Sequence, residues 1–493
     1  MKVILINPPW LGKTKSFFLT QPLGLASIAA SIRKEGHEVA IIDSPALGFE
    51  KSKTIDILGE NLFRHGIDYY EIAGLIPQDT DLIGITAPFT HHSHIVRPLI
   101  KAIREQHGDI KIVLGGVYPS TLPIHASKIG ADYIAIGEGE PIMVSLAGGD
   151  SVESITGLYR SSFLRELKSE KDFNREVGLV ENLDDLPFPA RDLLPFDTYI
   201  KSKASGRGKE NFGVSIHTSR GCPYACTFCS VHSVFKRGYR GRSAEKIWQE
   251  IKEIVTKYNI YNFEFEDDNL TLIRDRAINL FGKMTDWNKN HEQKLTFITP
   301  NGIRIDTLDK ELLSLMKEAG CKRISLAMEH GDGEMLELMN KKLNLEKVEE
   351  VVRDCKVIGI NVLIYFIIGF PGETLARWKN GIKFAKKLKK INKNITFDIS
   401  FAKALPKTPL LEICRDKRYL TGANPDEIVL IGNFSNIVTP DFSSDDLQKR
   451  FIKTNKILNN KSFIKKVLIK IKNCVIESYK HLILVKNAKM APT

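Results

Sequence analysis

Short apolar segments alternate with helical segments along most of this chain, and they do so in two separate series. The first series ends near residue 147, and the second runs from about residue 212 to residue 405. Apolar runs that alternate with helices predict parallel strands buried between layers of helices. With 493 residues, the chain is long enough for two or three domains with cores of their own. The sequence therefore predicts an α/β protein with two parallel sheets.

The first series predicts a doubly wound, Rossmann-like sheet. Its strands fall at residues 3–6, 38–42, 82–86, 111–114 and 133–136. Sheets of this kind bind ligands at the carboxyl ends of their strands. The loops at these ends supply the candidate binding residues Asn7, Pro8, Thr86, Gly115, Gly116, Glu138 and Glu140. No G-x-G-x-x-G motif follows the first strand, which argues against a dinucleotide as the ligand.

The second series predicts a partial (β/α)6 barrel of the TIM type. Its six strands fall at residues 214–218, 262–266, 294–299, 323–327, 361–368 and 396–402. Barrels of this type carry their chemistry at the mouth formed by the carboxyl ends of the strands. Residues 148–211 connect the two series and contain acidic turns and prolines that cannot continue a helix.

Three cysteines, Cys222, Cys226 and Cys229, follow the first strand of the second series and so fall at the predicted mouth. A four-iron cluster requires four ligands, so three thiolates would leave one iron open to a substrate or cofactor. Two alternatives remain open at this point. One is a zinc site completed by His217 or His232, and the other is three unrelated thiols.

The C-x3-C-x2-C spacing, with Phe228 directly before the third cysteine, resembles the signature of the radical S-adenosylmethionine (SAM) superfamily. In that family the open iron is chelated by the amino and carboxylate groups of SAM. The resemblance extends to four further strand ends, although any single acidic turn is more often a helix N-cap. It implies a SAM site formed by Glu266, Asp267, Asp268, Asn301, Arg304, Glu329, Gly369 and Pro371.

The first series resembles the cobalamin-binding domain that precedes many radical SAM domains, on residues 21–26, 34–39, 113–119 and 135–140. Classical cobalamin carriers supply a histidine below the cobalt from D-x-H-x-x-G. This chain has Asp43-Ser44-Pro45 where that motif might begin. The resemblance implies cobalamin bound without such a histidine. His91, His92 and His94 cluster elsewhere and are interpreted as polar residues at a helix start, with ligation of a metal or of the cobalt as the alternative.

The net charge of +12 comes almost entirely from the end of the C-terminal region (residues 406–493), which carries +11 between residues 448 and 493. Between residues 448 and 493 there are twelve lysines or arginines and one acid, Glu477. Apolar residues at helical spacing predict an amphipathic helix here; they are Ile464, Val467, Leu468, Ile471, Val475 and Tyr479. Such a helix can lie on an anionic membrane surface or simply cover the barrel. The sequence contains no basic patch interleaved with aromatic residues, so it does not indicate nucleic-acid binding.

The four other cysteines are Cys321, Cys355, Cys414 and Cys474. Their scatter is typical of a reducing compartment, so the predicted location is cytoplasmic, with possible peripheral contact at a membrane. The predicted domains are residues 1–147 (cobalamin-binding), 148–211 (connector), 212–405 (radical SAM barrel) and 406–493 (a helical, basic extension).

The resemblance implies an enzyme with a 4Fe-4S cluster, SAM and cobalamin that methylates an unactivated carbon of a small molecule or lipid. An external electron donor of the flavodoxin or ferredoxin type would reduce the cluster. One alternative keeps these cofactors but closes a ring or rearranges its substrate, as anaerobic porphyrin cyclases do. A more remote alternative is a non-catalytic iron–sulfur protein, which would need no SAM-type strand ends.

Overall fold

The computed structural model describes residues 1–15, 17–57, 60–170, 173–202, 213–421 and 435–459. The strands of its N-terminal part are β1 (Lys2–Asn7), β2 (Trp10–Gly12), β3 (Glu38–Asp43), β4 (Ser52–Ile57), β5 (Glu60–His65), β6 (Leu82–Thr86), β7 (Lys111–Gly115), β8 (Tyr133–Ala135) and β9 (Leu158–Arg160). The helices are α1 (Leu23–Lys34), α2 (Ser44–Leu47), α3 (Tyr69–Gly74), α4 (Ser93–His107), α5 (Val117–Thr121), α6 (Pro123–Ser127), α7 (Gly139–Gly148) and α8 (Ser161–Glu166).

The N-terminal sheet is doubly wound, in the order β3-β1-β6-β7-β8-β9. The first five strands run parallel and only β9 is antiparallel. The chain turns to one side of β1 to form β3 and to the other side to form β6. Open sheets of this kind bind ligands at that change of direction, beyond the carboxyl ends of the strands. A second, three-stranded antiparallel sheet, β2-β5-β4, stands beside this edge.

The second half forms an open barrel of six parallel strands in sequence order. These strands are β10 (Val214–Ile216), β13 (Asn262–Phe265), β14 (Thr296–Ile303), β15 (Cys321–Glu329), β16 (Asn361–Ile368) and β17 (Thr396–Phe401). A two-stranded ribbon, β11 (Ser219–Arg220) with β12 (Arg240–Gly241), follows the first of them. The barrel helices are α10 (His232–Phe235), α11 (Ala244–Tyr258), α12 (Arg274–Asn290), α13 (Lys310–Glu318), α14 (Gly333–Leu338), α15 (Leu345–Ile358) and α16 (Leu375–Ile391).

The connector is divided between the two halves. Its strand β9 completes the N-terminal sheet and begins eleven residues beyond the predicted end of that domain at residue 147. Its later part carries α9 (Phe196–Ser202), whose Phe196 and Tyr199 pack into the barrel core. Two more helices cover the barrel, α17 (Pro409–Asp416) and α18 (Ser444–Leu458). Short 3-10 turns lie at Thr90–His92, Val152–Ser154, Leu183–Asp185, Arg191–Leu193 and Ile305–Thr307.

Helix α18 belongs to the body of the protein. Its Leu447, Phe451 and Leu458 lie in the barrel core, and the indole of Trp378 donates to Thr454 Oγ1 at 3.1 Å. The predicted amphipathic helix around residues 464–479, and Cys474 with it, lies outside the described residues. No helix within the described ranges is both long and apolar enough to cross a membrane.

The predicted fold class is confirmed, and every predicted strand is present in the sheet assigned to it. The helical segment between β7 and β8 is divided into two short helices, α5 and α6. Leu122 separates them with φ −131° and ψ 62°. It precedes Pro123, and the proline ring disfavours the helical conformation of the residue before it.

Candidate active site between the two domains

The three cysteines lie on the loop that follows β10, at the mouth of the barrel. All three are free and half-buried. The residues directly after α14 hold the loop. The Thr227 amide donates to the Met339 carbonyl at 3.0 Å, and the side chain of Asn340 donates through Nδ2 to the Ala225 carbonyl at 2.8 Å. His232 Nε2 lies 2.9 Å from the Cys222 carbonyl oxygen. The loop is therefore held at its first cysteine and on both sides of Cys226.

Two of the predicted acids hold this loop from below. Asp267, which is 4% exposed, accepts from Thr218 Oγ1 at 2.6 Å and from the Ser219 hydroxyl. Asp268 accepts from the Gly221 amide at 3.1 Å. The side-chain amide of Asn301 donates to the backbone carbonyl oxygen of the neighbouring Glu266 at 2.9 Å. The end of β13 thus supports the cysteine loop and also fixes the orientation of Asn301.

Arg304 connects the end of β14 to the cysteine loop. Its guanidinium lies 3.6 Å from the ring centroid of Tyr224, which is between the first two cysteines. It also pairs with Asp306 at 2.8 Å and donates to the Lys341 carbonyl at 3.1 Å. Flat stacking on the ring together with paired hydrogen bonds to a carboxylate depends on the planar guanidinium, which lysine lacks.

Glu329 ends β15 in a left-handed conformation, with φ +68°. This conformation is uncommon for a residue other than glycine and is concentrated at functional sites. Its carboxylate accepts from Lys341 Nζ at 3.0 Å, and both side chains are buried. The ion pair offsets the cost of burying the charge of Glu329 and fixes the carboxylate at the mouth.

The loop after β16 is held by a buried acid, Glu373, which is not among the predicted site residues. Glu373 accepts from the Gly369 amide at 2.5 Å and lies 3.3 Å from His330 Nε2. Gly369 has φ +78°, and a Cβ there would come within 2.8 Å of Leu447. Pro371 is buried in the same loop. Both the left-handed backbone and the contact with α18 therefore require glycine at 369.

The carboxyl edge of the N-terminal sheet brings most of its predicted residues together. Asn7 Nδ2 donates to Asp43 Oδ1 at 2.8 Å, and Thr86 pairs with Gly115 across the sheet. Gly116 has φ +109°, and a Cβ there would lie 2.9 Å from the Ala87 carbonyl oxygen. Pro8 is buried at the end of β1. Glycine at 116 therefore lets the loop after β7 approach the loop after β6 closely. Such a close approach suits a flat cofactor bound at this edge of the sheet.

Glu138 and Glu140 bind the barrel domain. Arg220, two residues before Cys222, lies 3.1 Å from Glu138 Oε1 and 2.6 Å from Glu140 Oε1. Arg240 pairs with Glu138 at 2.7 Å, and Ser27 Oγ donates to Glu140 at 2.6 Å. Burial acts to raise the pKa of Glu140, but Arg220 outweighs it and the pKa is lowered. We name Arg220, Arg240, Glu138 and Glu140 the interdomain ion cluster.

The donor set fits an iron–sulfur cluster better than zinc. No three His, Cys, Asp or Glu side chains in the described ranges are placed to hold one metal ion. In a 4Fe-4S cluster each thiolate binds a different iron, so the three cysteines stand further apart than the ligands of a single metal ion. Burial raises the pKa of Cys222 and Cys226, and that of Cys229 to about 11. Binding to iron favours the thiolate form despite that burial.

Comparison with known proteins identifies both halves. A family model for the Radical SAM superfamily matches residues 216–385, and one for the B12 binding domain matches residues 10–147. An uncharacterized methyltransferase of Pyrococcus horikoshii is 32% identical over 420 residues, which are 83% of this chain and 81% of that protein. The chain belongs to the cobalamin-dependent radical SAM methyltransferase family. Its cofactors are a 4Fe-4S cluster, SAM and cobalamin.

Two further proteins illustrate the likeness. Cytidylyl-2-hydroxyethylphosphonate methyltransferase of Streptomyces wedmorensis is 29% identical over 419 residues, or 78% of this chain and 77% of that protein. The radical SAM methyltransferase TsrM of Kitasatospora setae, solved with cobalamin and a 4Fe-4S cluster bound, superposes with a TM-score of 0.65. The two chains are 21% identical, and the match covers 86% of this chain and 80% of the TsrM chain. This likeness shows that the two proteins share a fold.

Several residues of the site in this radical SAM methyltransferase carried no sequence signal that could place them. Asn340 contacts the cysteine loop and Lys341 contacts Glu329 only through the fold, and Tyr224, which lies within that loop, meets Arg304 in the same way. Arg220 and Glu373 could have been noticed, because they lie within or beside the motifs around Cys222 and Gly369. Their partners, however, come from other domains and elements, which the linear sequence does not reveal.

Proposed function

We propose that this protein methylates an unactivated carbon of a small-molecule or lipid substrate. When bound, the reduced cluster supplies the electron that cleaves SAM, and cobalamin supplies the methyl group. The observation that supports this function most directly is the interdomain ion cluster. It joins the loop of the three cysteines to the glycine-rich loop after β8, so both cofactor edges face one interface.

The residues of the barrel mouth position the reactants. Cys222, Cys226 and Cys229 would ligate three irons, and Phe228 packs against the barrel core beneath them. Asn301, Arg304 and Glu329 would bind the amino-acid and ribose groups of SAM, and the backbone at Gly369 and Pro371 would face its adenine. Removing a hydrogen atom from carbon needs no general base, so the chain's task is to orient the reactants and exclude water.

The sheet edge at Asn7, Pro8, Thr86, Gly115 and Gly116 would hold cobalamin against the barrel mouth. Glu138 and Glu140 take part indirectly, because their carboxylates are bound by Arg220 and Arg240. The acids Asp267 and Asp268 likewise act by holding the loop that carries the cysteines. An external one-electron donor of the flavodoxin or ferredoxin type would reduce the cluster.

An anaerobic reaction with methyl-labelled SAM tests the proposal. Full-length, reconstituted protein is supplied with cobalamin, a one-electron reductant and pooled small-molecule and lipid extracts, and the products are read by mass spectrometry. We expect a product that carries the labelled methyl group on carbon. A product formed with consumption of SAM but without the label would identify ring closure or rearrangement instead and would overturn methyl transfer.

We also propose that the basic residues beyond Asn459 bring the enzyme to an anionic membrane surface. The support is the charge excess beyond Asn459, where there are eight lysines and one acid, Glu477, because each lysine near such a surface contributes about 1 kcal/mol. Binding of the full chain to anionic vesicles should fall steeply as salt is added. No binding at low salt, or equal binding by a chain that ends at Asn459, would contradict it.

A further inference from the structure

A group of aromatic and histidine side chains lies in the crevice between β1 and β6. Strand β2 contributes Trp10, and the loop after β6 contributes Phe89, His91 and His92. The ring of Trp10 lies 5.5 Å from those of Phe89 and His92, centroid to centroid, and Phe89 stacks on His91 at 5.3 Å. The crevice is where the sheet order changes direction, which is the ligand-binding position of such sheets.

The two histidines are buried without partners. His91 is 8% exposed and His92 is 1% exposed. Within the described part of the chain, neither ring nitrogen of His92 has a hydrogen-bond partner, and Nε2 of His91 has none. Each unsatisfied buried polar group costs on the order of 1–3 kcal/mol. Phenylalanine at either position would give a more stable protein, because it would bury no unsatisfied nitrogen. The unpaired ring nitrogens therefore indicate that these side chains bind a ligand.

Both imidazoles are neutral. Burial lowers the pKa of His91 to about 4, assisted by repulsion from Lys403 and His94. Burial likewise holds the pKa of His92 well below its usual value, with a smaller contribution from His91. A neutral imidazole offers one N–H donor and one nitrogen acceptor. A primary carboxamide offers the same pair of functions, and the rim of the corrin ring in cobalamin carries primary carboxamides.

We propose that His91 and His92 bind cobalamin by hydrogen bonds to its carboxamide groups and do not coordinate its cobalt. This assignment rests on the cobalamin site of the proposed function but not on methyl transfer, so cofactor binding can test it alone. It replaces the interpretation of these residues as polar groups at a helix start. It agrees with the expectation that no protein histidine lies below the cobalt.

Titration of the full-length protein with hydroxocobalamin tests the assignment. We expect His92→Phe to weaken binding about tenfold for each hydrogen bond lost, since about 1.4 kcal/mol corresponds to a factor of ten. The same substitution should leave the Tm of the cobalamin-free protein unchanged or raise it, because it removes an unsatisfied buried group. His92→Gln, which keeps a donor and an acceptor, should restore part of the affinity.

His107→Phe is the matched control, at the other end of α4. His107 Nε2 bonds the Ala73 carbonyl at 2.9 Å, so its loss should lower the Tm without changing cobalamin affinity. Unchanged affinity in both His91→Phe and His92→Phe would overturn the assignment. So would nitrogen superhyperfine splitting in the cob(II)alamin resonance spectrum that responds to 15N-histidine labelling, because it would show coordination to cobalt.

Discussion

Arg220 is the residue whose contacts matter most to the arrangement of the two cofactor sites. It is buried among two carboxylates of the other domain and stands two residues before the first cluster cysteine. Burial opposes its charge, but Glu140 and Glu138 outweigh this and raise the pKa of Arg220. Arg220 therefore acts as a positioning residue that fixes the cysteine loop against the cobalamin domain.

Replacing Arg220 by leucine should cost about 3–5 kcal/mol of unfolding free energy, because it leaves Glu140 buried without a cationic partner, while Glu138 keeps Arg240. Arg220→Lys keeps the charge but loses the paired geometry, so it should fold and yet cleave SAM with less methyl transfer. Thermal unfolding measures the loss of stability, and the ratio of 5′-deoxyadenosine to methylated product measures the loss of methyl transfer.

Arg160→Leu is the control variant. It breaks an exposed ion pair with Glu153 and should cost at most about 1 kcal/mol of unfolding free energy. A similar loss for both variants would contradict this role.

Asp43 predicts a distinct pH dependence of stability. Burial raises its pKa to about 6, although hydrogen bonds from Tyr199 and Asn7 oppose the shift. The charged form is therefore disfavoured in the folded state, and stability falls as the pH rises from about 4 to about 6. A shift of this size corresponds to roughly 3 kcal/mol. Asp43→Asn should remove this fall and be more stable at pH 8, as measured by denaturant unfolding; equal pH profiles would contradict it.

At the scale of the elements, strands were easier to predict than the features that interrupt them. Buried parallel strands such as β6 and β16 appear as continuous apolar runs, and their predicted bounds match the observed ones. The β4–β5 ribbon was missed because β4 is mostly exposed and carries little apolar periodicity. The break at Leu122 could have been predicted, since the proline that follows it is visible in the sequence.

Helix α18 supplies the prediction that belongs to this scale. Its Leu447 packs against Gly369, and burial of Leu447, Phe451 and Leu458 contributes roughly 1.5–3 kcal/mol for each side chain. A chain that ends at Asp446 should therefore lose both thermal stability and SAM cleavage. A chain that ends at Asn459 keeps the helix and should retain both. Normal melting of the shorter chain would show that α18 is dispensable.

At the scale of the whole molecule, the sequence predicted each cofactor at the carboxyl edge of a parallel sheet but could not show how the two edges meet. Parallel sheets direct the carboxyl ends of their strands to one side, so the order of motifs was sufficient to predict two sites. Glu138 and Glu140 were predicted as cobalamin ligands because they follow β8. Their binding to Arg220 and Arg240 depends on how the domains pack, which no local pattern encodes.

The cysteine loop carries the central claim, and SAM cleavage tests it most directly. Anaerobically reconstituted protein should hold about four irons and form 5′-deoxyadenosine from SAM when reduced. Alanine at Cys222, Cys226 or Cys229 should abolish the product, while alanine at the buried Cys321 should leave iron content and cleavage unchanged. If the variant with all three motif cysteines replaced still forms 5′-deoxyadenosine, the account is contradicted.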